Sequence, residues 1–143
     1  MTRAIIMAAI LGLGGCANVG PLATPSGNPE ITVPRKDLEH VKTELVATMC
    51  AHGFEPVKDG QNSVAFSKPL EPGAAFAYTL AMGNAYSSQP QMNVRYSLIQ
   101  QGNGVHVYAF VGVAMQGGFG QSQSLDLTHG KAGREVQEVL ETL

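Results

Sequence analysis

Cysteine, histidine and carboxylate side chains are the residues here best able to do chemistry, and their spacing limits what they can do. Cys16 follows an apolar run and two glycines, Leu13-Gly14-Gly15-Cys16, and Cys50 is the second of the two cysteines. His40, His52, His106 and His129 are scattered along the chain. No two of them stand at the H-E-x-x-H or His-x₃-His separations that put paired ligands on one helical face, so neither a metal site nor a cofactor is expected. No G-x-S-x-G elbow occurs, and Gly117, Gly118 and Gly120 do not form G-x-G-x-x-G ahead of a helix. The row Glu135, Glu138, Glu141 reads as a solvated helix face. With no nucleophile, base or metal cluster assembled, a non-catalytic protein is expected.

That leaves Cys16 as the residue with chemistry to explain. Residues 1–15 begin with Arg3 as a short positive start and continue with the apolar stretch Ala4 to Leu13. The stretch reads as a secretory signal, and it is too short to cross a bilayer, which takes about 20 apolar residues. Leu13, Gly14 and Gly15 before Cys16 resemble the bacterial lipobox. The resemblance implies cleavage before Cys16, acylation of its sulfur and amine, and an anchor of two or three acyl chains, each buried CH₂ contributing about 0.8 kcal/mol. Ala17 stands where inner-membrane retention usually calls for aspartate, so the resemblance implies the periplasmic face of the outer membrane. An ordinary cysteine beside a conventional cleavage site is the alternative reading. With Cys16 acylated, Cys50 has no internal disulfide partner, and it reads as a small buried residue on a helix.

Charged residues make up only 14% of the chain and form no runs, which argues against a nucleic-acid-binding surface. Residues 16–29 read as the lipidated N-terminus and a flexible tether, and residues 30–143 as a single α+β domain.

Within that domain, Glu30 to Val33 reads as a strand closed by Pro34. Asp37 to His52 reads as an amphipathic helix with Leu38, Val41, Leu45, Val46 and Met49 on one stripe, stopped by Gly53 in a left-handed cap. Asp59-Gly60 signals a hairpin between 54–58 and 63–67, of unclear register. Residues 74–82 fit a helix or a strand. A sharper hairpin follows. With Gly102-Asn103 in a type II′ turn, Leu98 faces Val107, Tyr96 faces Ala109, Val94 faces Val111 and Met92 faces Val113. Residues 116–124 read as a flexible loop. Val136, Val139, Leu140 and Leu143 mark a C-terminal helix from about 130 to 143. The order predicts a two-layer sandwich: an antiparallel sheet of about five strands with two main helices on one face.

The lipobox, the tether and the stretch Ser26-Gly27-Asn28-Pro29-Glu30-Ile31-Thr32 together resemble a group of proteobacterial lipoproteins. That resemblance implies an envelope location and this fold, and brings no catalytic residues with it. The expected function is therefore a non-catalytic envelope interaction or structural module, anchored by acyl chains on Cys16 and holding an envelope protein. Its candidate contact surface is the sheet face carrying Arg95, His106, Tyr108 and Phe110, with Arg95 across from Phe110, plus two loop aromatics, Tyr86 and Phe119, at one end of the hairpin. Residues 69–90 could equally fold over that face. The alternative function is a periplasmic small-ligand carrier or enzyme with a pocket between helices and sheet.

Overall fold

The computed structural model describes residues 20–82 and 87–143. The lipobox residues Leu13, Gly14, Gly15 and Cys16, and the loop residue Tyr86, lie outside them. The order is β1 (Glu30–Pro34), α1 (Leu38–Ala51), β2 (Glu55–Gly60), β3 (Ser63–Pro69), α2 (Pro72–Met82), β4 (Gln91–Gln101), β5 (Gly104–Gln116), β6 (Ser122–Asp126) and α3 (Lys131–Leu140). The fold is α+β with a six-stranded antiparallel sheet of order β1-β5-β4-β3-β2, in which β6 also pairs with β5.

Local chemistry sets the ends of α1. The Asp37 carboxylate accepts from the His40 N–H at 2.8 Å, capping the first turn. At the other end Gly53 takes φ +80°, the Phe54 N–H reaches the Met49 carbonyl and the Gly53 N–H reaches that of Cys50. This is a Schellman closure, which requires a left-handed residue that glycine adopts without strain.

The β4–β5 hairpin forms in the register that turn chemistry and alternation imply, with Leu98 opposite Val107, Tyr96 opposite Ala109 and Gln101 opposite Gly104. Gly102 has φ +58°, the left-handed first turn position. Odd-numbered residues of β5 and even-numbered residues of β3 and β4 join one buried cluster with Val41, Leu45 and Met49 of α1 and Val136 and Leu140 of α3. Inside it the Tyr96 hydroxyl donates to Met49 Sδ at 3.1 Å, its ring meets Phe66 edge-on at 5.9 Å, and burial pushes its pKa upward.

Three expectations are corrected. Residues 116–124 are not a loop throughout: Ser122 to Asp126 pair with β5 as a sixth strand, leaving a short turn between Gln116 and Ser122. Of the two conformations open to residues 74–82 the helix forms, which makes three helices. The first hairpin turns at Gln61-Asn62 rather than Asp59-Gly60, since Gly60 pairs with Ser63, and a bulge at Val57 shifts the register between Pro56 and Lys58. Cys50 is exposed. It follows Met49 directly on α1, so it sits about 100° around the helix from the stripe 41, 45, 49 and faces out.

The outer edge of β5 is fully used. Residues 104–108 pair with β1 and 112–116 with β6. Between them the Ala109 N–H donates to Pro29, and the Val111 backbone bonds Leu127 and the Thr128 hydroxyl. On the far side of β1 the Gln137 side-chain amide takes the Glu30 N–H at 2.8 Å and returns a bond to its carbonyl at 3.2 Å. Helix α3 comes so close to the preceding loop that a Cβ on Gly133 would lie 1.7 Å from the Thr128 carbonyl oxygen.

Within the segment read as a tether, residues 20–29 are hydrogen-bonded back on themselves. The Leu22 N–H donates to Gly27 at 3.0 Å, and the Thr24 hydroxyl donates to Asn28 at 2.6 Å.

Candidate functional site

Strand register places the candidate surface residues on one face, the one carried by even-numbered β5 residues. Successive rows across it are Thr32–His106–Ile99, Glu30–Tyr108–Ser97–Ser63, Phe110–Arg95–Ala65 and Asp126–Gly112–Asn93–Ser67. His106, Tyr108, Phe110 and Arg95 thus come together, as alternation requires. Arg95 and Phe110 are exposed, so this part of the face lies open.

At the open end of the face the Arg95 guanidinium lies 5.1 Å from the Phe110 ring centroid, a cation–π pair. The small side chains of Ala65 and Gly112 leave a shallow hollow beside them. It measures about 350 Å³ and is bordered also by Val57 and Asn93. Phe110 is 38% and Val57 61% exposed, which makes the rim of the hollow apolar.

At the other end the motif Ser26 to Thr32 closes around His106. Its Nε2 lies 2.8 Å from Glu30 Oε2 and its Nδ1 2.7 Å from Thr32 Oγ1, while the Ser26 N–H donates to Glu30 Oε1 at 2.6 Å. Glu30 is almost fully buried. Burial opposes its charge, but the Ser26 N–H and the His106 ring outweigh that and hold its carboxyl below the ordinary value. With Glu30 ionised, Nε2–H donates to it, and Nδ1 is left to the Thr32 hydroxyl. Tyr108 packs against the same imidazole, the ring centroids 4.3 Å apart and the planes tilted by 56°.

Sequence reasoning missed this trio. Its members are 74 and 76 residues apart, and only the β1–β5 pairing brings them together. A hydroxyl, an imidazole and a carboxylate in line can serve acyl transfer. Here the three side chains bond one another and the Ser26 N–H between two paired strands, and none of them lines the hollow beside Arg95. The arrangement ties β1 to β5 and holds His106 and Tyr108 in place.

A second cavity lies among the C-terminal end of α1, α3 and β3–β4. It measures about 600 Å³ and is lined by Met49, Phe54, Leu70, Met92, Val136 and Val139, with Lys68 at its edge. The Lys68 ammonium donates to the His52 carbonyl at 3.0 Å and lies 5.6 Å from the Phe54 ring centroid.

The remaining sequence candidates disperse. Phe119 is 85% exposed at the β5–β6 turn. His129 Nδ1 stands 3.2 Å from the Gly27 carbonyl, and His40 is paired with Glu44 on α1. Among the described residues no three His, Cys, Asp or Glu side chains group as metal ligands. Set against protein-family models, curated proteins and solved structures, the chain finds no match.

Proposed function

We propose that this is a lipid-anchored envelope protein, acylated at Cys16 and held at the periplasmic face of the outer membrane, whose open sheet face grips another envelope protein. The observation that carries the reading is the exposed pair Arg95–Phe110 beside an apolar-rimmed hollow. Open sheet faces are ordinarily polar, and an aromatic ring with an arginine is the composition of a contact centre. The partner this surface suits presents an apolar side chain to the hollow and a carboxylate or carbonyl to the guanidinium.

The reading includes an architecture of two layers, with α1 and α3 together on the side of the sheet away from Arg95. Its support is that Val41, Leu45, Met49, Val136 and Leu140 share one cluster with Val105, Val107 and Val111.

In-cell photo-crosslinking from position 110 tests the partner, with position 141, at the C-terminal cap of α3, as control. An adduct at 110 that disappears with Arg95→Glu is expected; no adduct, or one indifferent to Arg95, overturns the contact surface. Palmitate labelling with Cys16→Ala as control tests the anchor separately.

A second reading rests on the cavity of about 600 Å³ between α1, α3 and the sheet. Its apolar walls fit a small hydrophobic ligand. Retention of such a ligand by the purified protein, lost with Val139→Arg, would favour it.

A further inference from the structure

One end of this molecule is poor in charge, with Lys68 and Glu71 at its border. Residues 72–94 contain no Asp, Glu, Lys or Arg, and neither do residues 96–125. These stretches include α2, the start of β4, the end of β5 and most of β6, and pairing brings them to one end of the sheet, where Gln91 stands opposite Ala114. The Ser88 N–H donates to the Gln116 carbonyl at 2.7 Å, and the Ser88 hydroxyl accepts from the Gln116 N–H at 2.9 Å, tying the segment after α2 to the base of the β5–β6 turn.

Apolar side chains project from this end into solvent. Among the described side chains of α2 only Ala75 is buried; Phe76 is 65% and Leu80 71% exposed, one helical turn apart. Phe119 projects from the neighbouring turn, 85% exposed.

The N-terminal segment leaves β1 beside the middle of β5: Glu30 pairs with Tyr108 and Pro29 accepts from Ala109, after which Leu127 and Thr128 take over that edge. Cys16 is four residues ahead of Gly20, a reach of about 13 Å at full extension. An acylated Cys16 would therefore hold the domain against the bilayer rather than well away from it.

We propose that this charge-poor end lies in the headgroup region of the bilayer, with Phe76, Leu80 and Phe119 inserted at the boundary of the acyl chains and Lys68 and Glu71 left among the headgroups. Exposed apolar and aromatic side chains with no charge on their own element suit that boundary, where burying a charged side chain would be costly. The membrane's presence follows from the anchor reading above; the orientation is the new element. It turns α2 and the β5–β6 turn to the lipid and leaves the Arg95–Phe110 face accessible from the side.

The chain has no tryptophan, so single reporters can be introduced without background. Phe76→Trp, Phe119→Trp and, on the far edge strand, Val57→Trp are made in the full chain. Each is purified with its acyl groups and reconstituted in phosphatidylcholine vesicles with or without brominated acyl chains. The expected result is blue-shifted emission and at least twofold quenching by brominated lipid at 76 and 119, with no quenching at 57. Acylated protein with all three reporters unquenched overturns the orientation and leaves the anchor standing. A blue shift at 76 and 119 indifferent to bromine also overturns it, and points to a protein, such as a second copy, on that end. If mass spectrometry finds Cys16 unmodified, the anchor reading fails by itself. Vesicles added to that unmodified chain then decide the orientation by the same quenching: present, it stands; absent, it falls.

Discussion

Glu30 Oε2 and His106 Nε2 lie 2.8 Å apart on neighbouring strands, with the carboxylate almost fully buried and its other oxygen on the Ser26 N–H. The pair joins the start of the domain to the beginning of its longest strand. Because the carboxyl is held below its ordinary value of 4.5, it stabilises the folded state above that pH. The contribution fades as pH falls below 4.5 toward the depressed folded value. Glu30→Gln should therefore cost about 1.5–3 kcal/mol near neutrality, the range for a hydrogen bond to a charged group. The gap between variant and wild type should narrow in acid. Urea unfolding near neutrality and well below pH 4.5 measures both; a gap that does not change with pH would rule out the charge as its source.

Gly133→Ala should destabilise the protein although alanine is the better helix former. Propensity alone favours the substitution by about 1 kcal/mol. The added Cβ would meet the Thr128 carbonyl oxygen at 1.7 Å, and that loop is fixed by the Thr128 hydroxyl on Val111. A net loss of about 1–3 kcal/mol is expected from overpacking. A rise in denaturation midpoint would show that α3 can move off the loop at no cost.

Arg95 and Phe110 should show a coupling of about 0.5–1 kcal/mol in a double-mutant cycle of Arg95→Ala and Phe110→Ala on unfolding free energy. Strictly additive losses would mean that the 5.1 Å approach carries no energy of its own.

The Cys50 thiol, being exposed, should react with a maleimide in the native protein nearly as fast as in urea. Strong protection, lifted only on unfolding, would place the residue inside the core instead.

What sequence could and could not reveal follows from the range of the interactions. The ends of α1 and the β4–β5 register depend on Asp37, Gly53 and Gly102-Asn103, whose effects act within a few residues, and alternation fixed the rest. The β2–β3 register was obscured by the bulge at Val57, which breaks the alternation from which a register is read. Strand β6, Ser-Gln-Ser-Leu-Asp with every residue exposed, has no hydrophobic pattern; only the edge of β5 makes it a strand. In α2, a run of alanines with Phe76, Tyr78 and Leu80 fits helix or strand equally by hydrophobicity. Arg95 and Phe110 could be placed opposite each other because both belong to the legible hairpin. Thr32, Glu30 and His106 could not, because their meeting depends on a pairing between strands separated by most of the domain.

The boundaries of the sheet carry a last consequence. Strand β2 ends it with Pro56, a bulge and the charges of Glu55, Lys58 and Asp59, while the Gln137 amide occupies the outward backbone groups of Glu30 as another strand would. Sheets guarded in this way resist recruiting strands from neighbouring copies. Even when crowded together at high local density, molecules of this protein should not zip together through these two edges.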